Sequence, residues 1–279
     1  MRTTTVTTTS SSSGQVTIER RGAVAILTLT NPPDGYMDSA TVPELDAATV
    51  ELEGDRSVRA IVITGGLPGV FVRHYSVHEL AVLSTGLRAQ GVKVDLSSTI
   101  PERDLDRVFK RIETMAKPVI AAINGTAMGG GFELTLACDI RVAEDGPYSL
   151  GLPEVNIGIL PGAGGTQKLG RLVGTARALE MTLRGRTVSP QDALTLGIVH
   201  EVAPPGTVLA RAMEIAEELA AKAPLAVGHI KRLVRLAAET PLAEGLAVER
   251  TLFLDLLVSD DALRLMTEMN EGRRDIRDR

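Results

Sequence analysis

The chain has 279 residues, of which 44% are apolar, and its 30 Lys and Arg against 35 Asp and Glu give a net charge of −5 at pH 7. A chain of this length can bury a core without disulfides or structural metals. Its net negative charge provides no overall positive field that would attract nucleic acid or an anionic membrane. Aromatic residues make up 3% and Trp is absent, which argues against stacking platforms for bases, and no apolar run is long enough for a transmembrane helix.

The chain begins with a Ser/Thr-rich segment and contains a single cysteine. Residues 1–14 hold ten Ser or Thr, one Arg and no apolar stretch, which predicts a disordered tail rather than a secretory signal. Cys138 alone cannot form an internal disulfide or a thiolate metal cluster, and the histidines show no metal-ligand spacing. We therefore predict a cytoplasmic protein that has no metal site, binds no nucleic acid and is not attached to a membrane.

Residues 15–202 alternate short apolar runs with helical patterns, which predicts an α/β core. The region opens with a hairpin over 16–30 that turns at Arg21-Gly22. Three later apolar runs are predicted strands, at 59–64, 118–123 and 140–143. Helical patterns separate them, at 42–52, around Leu105 to Ile112, and in a glycine-opened segment that ends at Ala137.

Two regions depart from this alternation. Residues 79–101 contain scattered Gly and Ser and are predicted to form a loop or a mobile helical insertion. Residues 203–279 lose the strand signals and show helical spacing over 207–223, 225–240 and 241–264. The apolar stripes of this C-terminal region are too extensive for a short helical tail to bury alone, so we expect them to pack on the body and on other subunits.

The most informative segment is residues 123–140, INGTAMGGGFELTLACDI, in which Gly129, Gly130 and Gly131 open a predicted helix. Glycines there leave the first N–H groups unobstructed, and the helix dipole adds about half a positive charge, which favours an anion. The same glycines can instead serve only a tight turn and close packing. Glu133, in the first helical turn, is either a functional carboxylate or a surface residue that complements the dipole.

A second glycine-rich run, Gly162 to Thr166, raises the question of nucleotide binding. Gln167 and Lys168 follow it without a Gly-Lys-Ser/Thr sequence, and no Gly-x-Gly-x-x-Gly fingerprint follows a predicted strand. The sequence therefore does not predict nucleotide hydrolysis.

Three segments in order resemble the crotonase superfamily, the enoyl-CoA hydratase and isomerase family. They are VIAAINGTAMGGGFELTLACDIRVA, LPEVNIGILPGAGGTQKLGRLVG and GRTVSPQDALTLGIVHEV. The resemblance extends over roughly residues 15–275. It implies an α/β spiral of ββα units with two roughly perpendicular sheets, and a C-terminal helical trimerisation module that assembles trimers or hexamers.

The resemblance also assigns candidate site residues. It implies an oxyanion hole formed by the main-chain N–H groups of Tyr75 and Gly130, which would receive the thioester oxygen as it becomes an enolate. The two catalytic carboxylates of the hydratases would be Glu133 and Glu154. Hydration needs a base to take a proton from water and an acid to protonate the α-carbon, and two carboxyl groups around one water suffice. Shared burial would keep one of them partly protonated.

The chain departs from the family pattern in two places. Where the family reads Phe-x-x-Gly-x-Asp, this sequence has His74 and Ser76 on either side of Tyr75. These side chains, with Phe132, are candidates for the substrate pocket, and loop packing is the alternative for His74 and Tyr75. Near the C-terminus the family's Lys, which contacts the CoA phosphate, is absent, and Arg273 is the candidate substitute.

The function implied is an enoyl-CoA hydratase, a lyase of fatty acid metabolism. It would add water to a 2-enoyl-CoA or remove water from a 3-hydroxyacyl-CoA, with coenzyme A as part of the substrate and no separate cofactor. Two alternatives remain open. One is another reaction of the same enolate, namely double-bond isomerisation, thioester hydrolysis or C–C cleavage. The other is a catalytically silent member that binds acyl-CoA.

Overall fold

Within residues 14–277, which the computed structural model describes, ten strands form two sheets. The larger sheet contains, in spatial order, β1 (Val16–Arg21), β2 (Val24–Leu29), β3 (Ala60–Gly65), β5 (Val119–Ile123), β7 (Ile140–Glu144) and β10 (Glu201–Ala203). β1 and β2 form the predicted antiparallel hairpin, and every other neighbouring pair is parallel. β2, β3 and β5 are almost entirely apolar because both faces of the sheet are covered.

The smaller sheet has the spatial order β4 (Gly69–Val72), β6 (Gly125–Met128), β8 (Leu150–Gly151) and β9 (Thr187–Val188). Three of its four strands, β4, β6 and β8, each follow a strand of the larger sheet, and β9 joins later in the chain. β4 follows β3, and β6 follows β5, so the chain repeatedly leaves one sheet, enters the other and then forms a helix. This is the repeated ββα arrangement that the sequence resemblance implied, and the fold prediction is confirmed.

Helices connect the strands and form the C-terminal region. Those before residue 203 are α1 (Thr41–Gly54), α2 (Val77–Ala89), α3 (Asp104–Thr114), α4 (Gly130–Ala137), a 3₁₀ helix (Glu154–Ile157), α5 (Gly165–Val173), α6 (Thr175–Leu183) and α7 (Pro190–Thr195). The later ones are α8 (Val208–Ala220), α9 (Pro224–Leu236), α10 (Leu242–Leu257) and α11 (Asp260–Asn270).

The core has one apolar layer on each face of the larger sheet. On one face, α1, α3 and α4 cover the sheet, and the predicted stripe of α3 is fully buried at Val108, Phe109 and Ile112. On the other face, α8 places Ala212 and Ala216 against the sheet. This helix belongs by its packing to the α/β body, although the sequence analysis assigned residues 203–279 to the helical C-terminal region.

The structure refines two other predictions. The 79–101 insertion consists of α2, which begins at Val77, followed by an exposed segment that leads to α3. The predicted helix over 241–264 is two helices, and the Ser259 hydroxyl caps the second by accepting from the N–H of Ala262 at 3.3 Å. The predicted disordered tail lies outside the described residues except for Gly14. Across the described chain, no helix combines the length and apolarity needed to cross a bilayer.

A cluster of ion pairs attaches α9 to the body. Asp139 accepts hydrogen bonds from Lys231 at 2.8 Å and Arg235 at 2.7 Å, and its carboxylate also accepts from the main-chain N–H of Val119 at 2.8 Å. The Lys231 side chain is only 7% exposed. Since a buried cation needs a charged partner, Asp139 fixes where this helix lies.

Candidate active site

Two main-chain N–H groups lie side by side where α4 begins. A Cβ added to Gly130 would lie 3.5 Å from the Tyr75 nitrogen, so the main chains of these two residues are in close approach. Neither N–H donates a hydrogen bond to another group within residues 14–277. Gly129 turns the chain at a φ of 48°, which favours glycine, immediately before the first residue of the helix, whose N–H has no partner within the helix. The pair can donate two hydrogen bonds to one oxyanion.

The side chains around Tyr75 are engaged within the protein. The Tyr75 phenol donates to Glu79 at 3.0 Å, and burial together with that carboxylate raises its pKa to about 12. His74 donates from Nδ1 to the Tyr75 carbonyl at 2.7 Å, and its ring lies 4.6 Å from that of Tyr36. Ser76 caps α2 by accepting from the Glu79 N–H at 3.3 Å. The loop therefore holds its main chain in place through its own polar groups.

Glu133 lies in the first turn of α4 and is buried, with 2% exposure. One carboxylate oxygen, Oε1, accepts hydrogen bonds from the N–H groups of Ala163 at 2.7 Å and Gly165 at 2.8 Å. Burial raises the pKa of Glu133, whereas these two donors and the positive charges of Lys168 and Arg103 oppose the rise. The carboxylate also faces the N-terminus of α5, where the helix dipole favours a negative charge.

Glu154 approaches the same helix end from the 3₁₀ helix. Its Oε1 would lie 3.1 Å from a Cβ on Gly129, which places the carboxyl group beside the opening of α4. Its Oε2 is buried and has no hydrogen-bond partner among residues 14–277. Burial, reinforced by the negative charge of Glu133, raises the pKa of Glu154 to about 7. An unpartnered buried carboxyl oxygen is costly unless a ligand or a proton satisfies it.

Other predicted residues are located away from these carboxylates or are already engaged. Phe132 is fully buried in the core that also contacts Tyr75. Arg273 is exposed in the turn after α11 and pairs with Glu271. Cys138 is buried, and burial raises the pKa of its thiol to about 12, which leaves it unreactive. No group of three potential metal-ligating side chains occurs in the described part of the chain.

Two cations near Glu133 were missed by the sequence analysis. Arg103, at the N-terminus of α3, binds Asp106 through Nε at 2.9 Å and Nη2 at 2.7 Å, and it also donates to the Gly162 carbonyl. Lys168 lies in the first turn of α5. In the sequence, the position of Lys168 just after the glycine run is the one local sign of a functional cation, and it bears only on the nucleotide-loop alternative. Arg103 gives no local signal, because its contact with Gly162 spans 59 residues.

Comparisons with known proteins agree with this architecture. A sequence profile described as enoyl-CoA hydratase/isomerase matches residues 19–275. The short-chain-enoyl-CoA hydratase of Clostridium acetobutylicum is 34% identical over 260 residues, covering 93% of this chain and 95% of that protein. The 2,3-dehydroadipyl-CoA hydratase of Escherichia coli is 35% identical, with 88% and 92% covered. The crystal structure of an enoyl-CoA hydratase from Bacillus anthracis superimposes with a TM-score of 0.82 at 30% identity, with 92% and 96% covered.

Proposed function

The chain belongs to the enoyl-CoA hydratase/isomerase family, and we propose that it adds water to a 2-enoyl-CoA thioester or removes it from a 3-hydroxyacyl-CoA. The names of its hydratase relatives support hydratase-type chemistry. The observation that carries the finer proposal is the placement of two carboxyl groups, buried Glu133 and half-buried Glu154, at the helix end that presents the Gly130 N–H.

The proposed oxyanion hole is formed by the N–H groups of Tyr75 and Gly130. As water attacks the β-carbon, negative charge moves to the thioester oxygen, and two unoccupied N–H donors stabilise it there. Removing one donor of this kind typically costs about a hundredfold to a thousandfold in rate. The donors belong to the main chain, so replacing the family's usual neighbours by His74 and Ser76 leaves them available.

Each carboxyl group has a distinct proposed role because their surroundings differ. Burial raises the pKa of Glu133, but two N–H hydrogen bonds and two nearby cations oppose the rise, and we therefore assign Glu133 the role of the base. Glu154 has no such partners for Oε2 and holds its proton to about pH 7, so it acts as the acid.

The proposed step is balanced without a cofactor. Glu133 takes a proton from water while the water oxygen bonds to the β-carbon, and Glu154 gives its proton to the α-carbon as the enolate collapses. Product release and exchange with water restore the two protonation states. Coenzyme A is part of the substrate.

We also place the enzyme in the cytoplasm, on the ground that its one cysteine is buried and unpaired.

Purified protein mixed with crotonyl-CoA tests the proposal. Hydration is expected to remove the absorbance of the conjugated thioester and to yield a product heavier by one water, as identified by mass spectrometry. An unchanged mass with a moved double bond, or release of free CoA thiol, would instead identify the isomerase or hydrolase alternatives. No reaction would favour a silent acyl-CoA-binding member. The matched control is the double variant Glu133→Gln/Glu154→Gln, in which hydration is expected to be undetectable.

A further inference from the structure

Lys168 occupies a confined position beside the loop that holds Glu133. It lies in the same first turn of α5 as Gly165, whose N–H donates to the Glu133 carboxylate. A Cβ added to Gly164 would lie 2.9 Å from the Lys168 Cε and 3.3 Å from its Nζ, so the lysine folds back over the chain that carries these donors. Its Nζ also lies 5.5 Å from the centre of the Phe109 ring. The ammonium group is therefore held rather than free in solvent.

A carboxylate from α3 anchors this ammonium group. Glu113 Oε1 lies 3.1 Å from the Lys168 Nζ, and both side chains are 21% exposed. Glu113 is shared, because an Arg235 nitrogen on α9 lies 3.6 Å from the same oxygen. Alternating cations and carboxylates thus lead from the attachment point of α9 to the first turn of α5, in the order Lys231, Asp139, Arg235, Glu113 and Lys168.

The other charges near Glu133 do not replace Lys168. Arg103 is bound in bidentate fashion by Asp106, which neutralises most of its charge. Glu154 keeps its proton to about pH 7 and supplies no positive charge, so it cannot stabilise ionised Glu133. Glu113 is partly compensated by Arg235, so the positive charge of Lys168 is left to act on Glu133.

We propose that Lys168, anchored by Glu113, is a positioning residue that keeps Glu133 in the ionised form required of the base. This inference rests on the proposed function, in which Glu133 removes a proton from water. The nearby ammonium charge opposes the rise that burial causes in the pKa of Glu133. Lys168 is not placed in contact with substrate, and its effect on the reaction is exerted through the carboxylate.

Lys168→Met tests the inference while preserving the aliphatic length of the side chain. Loss of the charge is expected to raise the Glu133 pKa and so to move the acidic limb of kcat/KM for crotonyl-CoA upward by about one pH unit. At a pH above the acidic limbs of both proteins, kcat of Lys168→Met is expected to stay within a few-fold of that of wild type at the same pH. Lys168→Arg keeps the charge and is expected to restore the wild-type profile. The matched control is Lys110→Met, which removes an exposed lysine from the neighbouring helix α3.

A second readout does not depend on activity. The carboxylate infrared band of Glu133, obtained as the difference between wild type and Glu133→Gln, reports the titration of this group in the free protein. It is expected to shift upward by about one pH unit in Lys168→Met and to stay in place in Lys110→Met. An unshifted titration in folded Lys168→Met, or a Lys168→Arg variant that behaves like Met, would overturn the inference. If crotonyl-CoA is not hydrated by wild type, the proposed function fails, and the infrared titration still decides the role of Lys168.

Discussion

Replacing Glu154 by Gln separates its catalytic role from its effect on stability. Gln keeps the size of the side chain but neither ionises nor donates an acidic proton. Because Glu154 is the proposed acid, kcat for crotonyl-CoA hydration is expected to fall at least about a hundredfold. In wild type, kcat/KM is expected to decline as the pH rises above about 7, where Glu154 loses its proton. The two pKa values that this pH profile reports belong to Glu133 and Glu154 as an interacting pair and not to either residue alone.

The stability effect has a defined sign. The pKa of Glu154 is raised from its ordinary value of 4.5 to about 7, so the folded protein holds this proton more tightly than the unfolded chain does. Its contribution to stability is complete below pH 4.5 and is lost as the pH rises through about 7. The shift corresponds to about 3 kcal/mol at most, and solvent screening of this half-buried group reduces it to about 1–2 kcal/mol.

Glu154→Gln is therefore expected to be more heat-stable than wild type at pH 9 but similar at pH 5. The expected difference in thermal midpoint at pH 9 is about 2–8 °C, measured at one scan rate and one protein concentration. The control is Glu218→Gln, at an exposed position on α8, where the midpoint should not depend on the substitution at either pH. Equal midpoints for wild type and Glu154→Gln at pH 9 would refute the argument that ionised Glu154 is buried without compensation.

Four further outcomes are expected. Glu133→Gln should lower kcat at least about a hundredfold, as loss of a general base does, and normal turnover would eliminate the proposed mechanism. Gly130→Ala should lower kcat by about a hundredfold or more with little change in thermal midpoint, since the new methyl lies 3.4 Å from the Tyr75 Cβ, an ordinary contact, yet fills the space before the Tyr75 N–H. Tyr75→Phe should leave hydration within about threefold, because the phenol binds Glu79 rather than substrate, and a large loss of kcat would favour a diverged chemistry. Light scattering at micromolar concentration should report trimers or hexamers, since α9 to α11 expose large apolar side chains, and a monomer would contradict this.

The larger sheet and its helices were predictable because their signals are local. The alternation at the start of β1, the apolar runs of β2 and β3 and the buried stripe of α3 are each visible within a few residues of sequence. The smaller sheet gave no such signal. β8 and β9 contain two residues each and form only by pairing with each other and with a strand distant in sequence. Strands this short depend on tertiary contacts rather than on propensity.

The candidate site also combines features that are visible in a short segment with contacts between residues distant in sequence. The glycines of α4 and the presence of Glu133 were visible in one segment, but its two N–H donors belong to residues about 30 positions later. The sequence alone left Glu133 as either a functional carboxylate or a surface residue, and its complete burial excludes the surface alternative. The sequence analysis treated Ser76 as a pocket candidate, whereas its hydroxyl caps α2, a role that depends on where that helix begins.

The departures from the family pattern at residues 74–76 bear on the choice between hydration and the other enolate reactions. A diverged chemistry would need a new acid, base or nucleophile in that loop. The imidazole Nδ1, the phenol and the hydroxyl there are bound to the Tyr75 carbonyl, to Glu79 and to the α2 N-terminus, respectively. By contrast, Glu154 keeps a buried carboxyl oxygen without a partner in residues 14–277, next to the helix end that presents an unoccupied N–H. Polar groups that remain unsatisfied in a folded protein are those available to a substrate and a water molecule. On this ground we expect the altered loop to preserve the proposed enolate site, and we expect the two glutamates to determine the fate of the enolate.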